Sequence, residues 1–98
     1  MNANEYINGM ADLIRTTSAE YVKVENIDGK KRIAAKFHSV SEMNSEMKKA
    51  FIANAETLKA LNAGLKVLRA SGEIKSASNS WAPTLLEGGI ELRMDFGF

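Results

Sequence analysis

Apolar residues recur at a 3-4 spacing through the second half of the chain. Val40, Met47, Phe51, Leu58, Leu61, Leu65 and Leu68 fall on one stripe, with Asn44 and Asn54 filling its gaps. That period belongs to an α-helix with one buried face. Ser39 and Glu42 stand at capping-box spacing at its start, Arg69 sits in its last turn, and Gly72 after Ser71 is a C′ stop. The spacing predicts one helix from Ser39 to Ser71, roughly 45–50 Å long at 1.5 Å per residue. A helix of that length calls for a coiled coil with a second copy, or for a bend or break near Asn62-Ala63-Gly64. A mid-helix glycine there costs about 1 kcal/mol relative to alanine. Lys48, Ala50, Ala55, Thr57, Asn62, Gly64 and Arg69 flank the stripe without the complementary Glu/Lys pairs of a coiled coil. Small residues widen the apolar face instead, so packing on a sheet or another helix is the expectation.

The period changes to two at the C-terminus. Ile90, Leu92, Met94, Phe96 and Phe98 alternate with Glu91, Arg93, Asp95 and Gly97, which predicts a strand with one buried face. Residues 20–37 read as a β-hairpin: Tyr21, Val22 and Val24 lead to the Asp28-Gly29 turn signal, and Lys31 to Phe37 returns. Residues 4–16 read as a helix capped by Asn2 or Asn4, with Tyr6, Ile7, Met10, Leu13 and Ile14 on one side and Gly9 weakening the pattern. Glu73 to Ser76 suggests a short strand, and Ala77 to Ser80 a polar loop leading into Trp81-Ala82-Pro83. Thr84 to Glu87 fits a strand or a helical turn, broken by Gly88-Gly89. The expected order is α-β-β-α-β. It predicts a two-layer α+β domain over residues 1–98, a small, mostly antiparallel sheet of three or four strands packed by one long helix and a shorter N-terminal helix.

Composition narrows the chemistry. With 98 residues, 45% of them hydrophobic, the chain can bury a modest core without metal or disulfide support. The absence of cysteine excludes disulfide scaffolds, thiol catalysis and Cys-bound zinc. No apolar run reaches membrane-spanning length and the first residues lack a signal-peptide pattern, so a cytoplasmic protein with no membrane partner is expected. The net charge of +1 hides an uneven layout: −3 over residues 1–29, +6 over 30–75 and −2 over 76–98. A basic middle segment reads either as solvated faces or as a surface for nucleic acid or an acidic protein.

Candidate reactive groups are sparse. His38 is the only histidine, and no motif sets a serine or carboxylate beside it, so it reads as a surface or cap residue. Glu42 and Glu46 share a helix face, yet two carboxylates without further ligands make a weak metal site, and Lys49 nearby suggests an ordinary charged face. No glycine stands in a phosphate-loop arrangement. Met43, Met47 and Phe51 form an i, i+4, i+8 row that suits either an adaptable binding surface or core, and helical spacing favours core. Ile90–Phe98 resembles the C-terminal strand of bacterial outer-membrane β-barrels, but only over that segment. The chain has too few strands to close a barrel, so a core strand is the reading.

The residues therefore point to a non-enzymatic protein-binding module without cofactor or metal. It would be an adaptor or inhibitor acting by surface contact, of the kind common among small accessory proteins of mobile elements. Trp81, an aromatic in a small polar loop, and Lys30, Lys31 and Arg32 at the hairpin tip are the expected contacts with another protein. A homodimer through the long helix or a sheet edge is a further expectation. The alternative is nucleic-acid binding through the same basic tip with Lys48, Lys49, Lys59, Lys66 and Arg69 of the helix.

Overall fold

Asp28 and Gly29 take positive φ angles of 49° and 77°, and this two-residue turn folds the first hairpin. The computed structural model describes residues 1–78 and 82–98. The element order is α1 (Ala3–Ile14), β1 (Val22–Ile27), β2 (Lys30–Phe37), α2 (Val40–Ala53), α3 (Ala55–Ala70), β3 (Ser76–Ala77), β4 (Ala82–Leu86) and β5 (Gly89–Gly97). The protein is an α+β fold with, among the described residues, three helices and a small antiparallel sheet of five strands.

The strand β5 organises the sheet. Along one side it pairs with the whole of β2, from Lys30 opposite Gly97 to Phe37 opposite Ile90, and β2 in turn pairs with β1. Along its other side run β3, against Gly97 and Phe96, and β4, against residues 93 to 89. The period-two pattern works as expected: Ile90, Leu92, Met94 and Phe96 are buried, together with Ile33, Ala35 and Phe37 of β2 on the same face. The ring of Tyr6 from α1 meets Phe96 edge-on, 5.6 Å between centroids. Each such fully buried large side chain contributes about 1.5–3 kcal/mol relative to exposure.

All three helices contribute to this core. α1 is pinned at its start by a reciprocal capping box: the Glu5 N–H donates to Asn2 Oδ1 at 2.8 Å and the Asn2 N–H to Glu5 Oε1 at 3.2 Å. It lies against β1, β2 and α3, and α2 packs on β2 and α1. Gly9 has a packing reason: a Cβ there would stand 2.9 Å from Leu61 Cδ2, so its absence lets α3 approach α1. Gly72, with φ of +80°, ends α3 as expected, its N–H donating to the Arg69 carbonyl.

The single long helix is corrected. The chain breaks between α2 and α3 at Asn54, where φ is −118° and ψ is 35°, and Gly64 continues inside regular α3. The count of strands is also higher than expected, because Ser76–Ala77 and Ala82–Leu86 both pair with β5. Leu85 escaped the pattern for a physical reason. It pairs with Ile90 on the helix side of the sheet, yet it is 85% exposed, and among the described residues no helix packs closely on β4. Among the described residues, no helix is long and apolar enough to cross a membrane.

Candidate protein-contact surface

The sides of α2 have different fates. Met43, Met47 and Ala50 are buried toward the core. Glu42 and Glu46 are occupied by the α1–β1 connection: the Ser18 hydroxyl donates to Glu42 Oε1 at 2.8 Å, and the Ser18 N–H donates to Glu46 Oε1 at 2.7 Å. Those donors, the backbone amide first, hold the Glu46 carboxyl below its ordinary value. Glu42 also accepts the His38 N–H at 3.3 Å while Ser39 Oγ accepts the Glu42 N–H, so the cap is made with His38 in place of the reciprocal Ser39 bond. The paired glutamates therefore serve to hold a loop. Among the described residues no group of three or more His, Cys, Asp or Glu side chains is placed to hold a metal ion.

The remaining side of α2 carries a groove of about 410 Å³, lined by Met43, Asn44, Met47, Lys48, Phe51 and Ile52. The methionines form its floor. Ile52, 69% exposed, forms a wall, and Lys48 stands on the rim without an ion pair among the described residues. Phe51 also borders a second cleft of about 260 Å³, where Leu58, Asn62 and Leu65 of α3 face Met94. Phe51 thus lines two separate clefts, one on α2 and one beside α3. The methionine row is both core and surface, because its inner edge seals the sheet while its outer edge floors the groove.

Among the described residues, the expected contacts Lys31 and Arg32 lie on opposite faces of the sheet. Trp81 lies outside the described residues. Lys30 is exposed at the start of β2. Lys31, on the helix side, donates to the Asn4 side chain. Arg32 projects from the opposite face and makes a forked pair with Asp95, at 2.7 and 3.2 Å. Successive strand residues point to opposite faces, which is why a run of three cations in sequence separates in space. On the helices, Lys59, Lys66 and Arg69 share a side of α3 and are all exposed, whereas Lys49 pairs with Glu46 at 3.6 Å.

Sequence reasoning did not anticipate the polar network on the open face of the sheet. Glu91 is 7% exposed there, yet it is charged and doubly partnered, accepting the Tyr21 hydroxyl and Arg93 Nε, the latter at 2.6 Å. Burial raises its carboxyl, but the hydrogen bonds of Tyr21 and Arg93 outweigh that and hold it below the usual value. The same bond to a carboxylate, with burial second, pushes the Tyr21 hydroxyl up to about 12. Lys36 pairs with Glu20 at 2.9 Å, and Lys23 lies over the Tyr21 ring, 4.5 Å from its centroid. The alternating signs of Glu91, Arg93 and Asp95 along one strand were the visible trace of this face. Its charges satisfy one another, leaving little for a ligand to pair with.

No protein-family model, curated protein or solved structure matches this chain.

Proposed function

We propose that the chain is a non-enzymatic protein-binding module, an adaptor or inhibitor, that engages its partner through the groove on α2 beside Ile52. The observation that carries this reading is the groove beside Ile52: an exposed isoleucine, an adaptable methionine floor and a lysine without an ion pair among the described residues adjoin one another. Contiguous exposed apolar surface with a polar rim is the ordinary mark of an interaction site. A catalytic reading draws less support, since Glu42, Glu46, Glu91 and Asp95 are spent on hydrogen bonds and ion pairs within the fold. The nucleic-acid reading is weakened by the dispersal of the hairpin cations, with Arg32 neutralised by Asp95.

The test is capture from the native source by tagged wild-type chain and by Ile52→Asp, with nuclease present. One stoichiometric protein retained by wild type and reduced about tenfold or more by Ile52→Asp supports the proposal. Equal capture by a folded Ile52→Asp overturns it, and a bound set that vanishes with nuclease moves the assignment to nucleic acid.

A further inference from the structure

We infer that the outer edge of β1 is a self-pairing surface, on which a second copy of the chain adds its own β1 antiparallel to make one continuous sheet. The inference is independent of the groove on α2. The direction of the backbone groups is the first argument. Ile27 and Lys30 close the two-residue turn, and at the other end of the hairpin the Lys36 N–H donates to the Tyr21 carbonyl. Hydrogen-bonded pairs alternate along an antiparallel ladder, so Lys23, Glu25 and Ile27 spend their backbone groups on β2. The N–H and C=O groups of Val22, Val24 and Asn26 point off the edge. The Val22 carbonyl shows this directly, since it accepts Arg15 Nη2 at 3.2 Å from outside the ladder and keeps a second lone pair. Among the described residues, Val24 and Asn26 have no such outward partner. The opposite edge is less open to pairing, because Pro83 within β4 has no N–H.

Charge and register are the second argument. When two copies of this edge meet antiparallel, hydrogen bonds form only where outward residues stand opposite one another. Setting Val22 opposite Val24 places Lys23 against Lys23 of the second copy. Setting Val24 opposite Asn26 places Glu25 against Glu25. Like charges directly opposite destabilise a strand pair, and opposite charges stabilise it. Setting Val24 opposite itself places Lys23 against Glu25 on both sides of the two-fold axis, with Val22 opposite Asn26. Lys23 and Glu25 are both partly exposed on the open face and 3.4 Å apart within their own strand, so the two copies would form an alternating quartet of charges. On the helix side, Val22 and Val24 are half-buried against the core, and Val24 meets Val24 of the second copy. Charges on an edge usually discourage pairing. Here the same two charges reject the shifted registers and admit one. A second copy supplies the matching glutamate and lysine by symmetry, which a strand from an unrelated protein does not.

The experiment is sedimentation equilibrium from about 10 µM to about 1 mM, the span in which a small interface associates. It is run on the wild-type chain, on Lys23→Glu, on Glu25→Lys and on an equimolar mixture of the two variants, each verified as folded by its thermal transition. The expected wild-type result is a monomer–dimer equilibrium. Each variant alone self-associates about tenfold more weakly, because two opposite-charge contacts become two like-charge ones. The mixture recovers association, because one variant then carries two negative charges on the edge and the other two positive ones. The register is read on the wild-type chain alone, by isotope-filtered NMR of labelled and unlabelled chains mixed together. Lys23 and Glu25 of the second copy form a non-hydrogen-bonded pair with Cα atoms about 4.5 Å apart, so their Hα protons should show an intermolecular contact. The Val24 amide should exchange more slowly as concentration rises. A wild-type chain that stays monomeric, a dimer indifferent to both substitutions, or a mixture that fails to associate overturns the inference. So does an intermolecular Lys23–Lys23 contact. A Val24 amide protected only when lysate of the native source is added assigns the edge to another protein's strand and also overturns it. None of these results bears on Ile52, so the protein-binding reading stands or falls separately.

Discussion

Asn54 donates its side-chain amide to the carbonyl oxygen of Ala50 at 2.8 Å, and its own backbone N–H reaches the same oxygen at 3.0 Å. The double bond closes the last turn of α2 and lets α3 leave with a new phase. A net hydrogen bond is worth about 1 kcal/mol. Asn54→Ala is expected to lower Tm by about 4–8 °C, the shift that such a loss produces in a chain of this size. Gly64→Ala is the contrast. The added Cβ meets only the flexible Met1 side chain, from a residue that is 59% exposed and free to swing away, while helix propensity improves by up to about 1 kcal/mol. Thermal unfolding by circular dichroism should show a drop for Asn54→Ala and no drop for Gly64→Ala. The reverse order would return the break to Gly64.

Gly89 cannot carry a side chain. A Cβ on it would lie 2.4 Å from the Phe37 carbonyl oxygen, a backbone atom fixed by the pairing of β2 with β5. Gly89→Ala is expected to destabilise by about 1–3 kcal/mol, the range for overpacking a close site. Urea unfolding with an unchanged slope and a lower midpoint would bear this out. A wild-type midpoint would show that β5 can shift away from Phe37 without cost.

The Ser18 amide should report on the two glutamates of α2. Glu46→Ala removes its acceptor while leaving α2 helical. Hydrogen exchange at that amide is expected to quicken by roughly two- to tenfold, the range for one modest hydrogen bond near the surface. Unaltered exchange would mean that the connection is held by Glu42 and the backbone alone.

The Tyr21–Glu91 bond gives stability two edges in pH. Glu91 has its carboxyl lowered in the folded state from an ordinary 4.5, so its contribution is present above that value and is lost as pH falls through the lower folded one. Tyr21 is raised from 10.0 to about 12, so its contribution is complete below pH 10 and is lost as pH rises toward 12. Tyr6 is also raised, by burial. Ultraviolet titration of the folded chain should therefore show no tyrosinate forming at the ordinary pH. In Glu91→Gln one tyrosine should titrate earlier, and the acid-side loss of Tm should shrink. An unchanged titration of Glu91→Gln would sink the assignment.

The parts of the fold legible in the sequence are those where one local signal has one physical solution. Asp28-Gly29 accepts the positive φ of a two-residue turn, Gly72 ends a helix, and the strict alternation from Ile90 to Phe96 fits a strand buried on one face. The break at Asn54 was hidden because the 3-4 spacing runs through it unbroken. What marks the break is the Asn54 side chain, which donates back to the Ala50 carbonyl of its own helix and across to Thr16 Oγ1. β4 was ambiguous because Leu85, although on the same face as buried Ile90, is 85% exposed, so burial never imposed a period on it. The groove had a visible signal in Met43, Met47 and Phe51. The one-dimensional pattern cannot separate a row that is core from a row whose outer edge is surface. The basic run Lys30-Lys31-Arg32 does not show its spatial layout in sequence, because adjacency along a strand is separation across a sheet.

The most direct measurement is site-specific photocrosslinking in the native source, with a photoreactive residue at Ile52 and, in a second chain, at Lys23 on the open sheet face. The protein-binding account predicts one discrete adduct with another protein from position 52 and none with another protein from position 23. Adducts from position 23 alone, or nucleic-acid adducts from position 52, would contradict it.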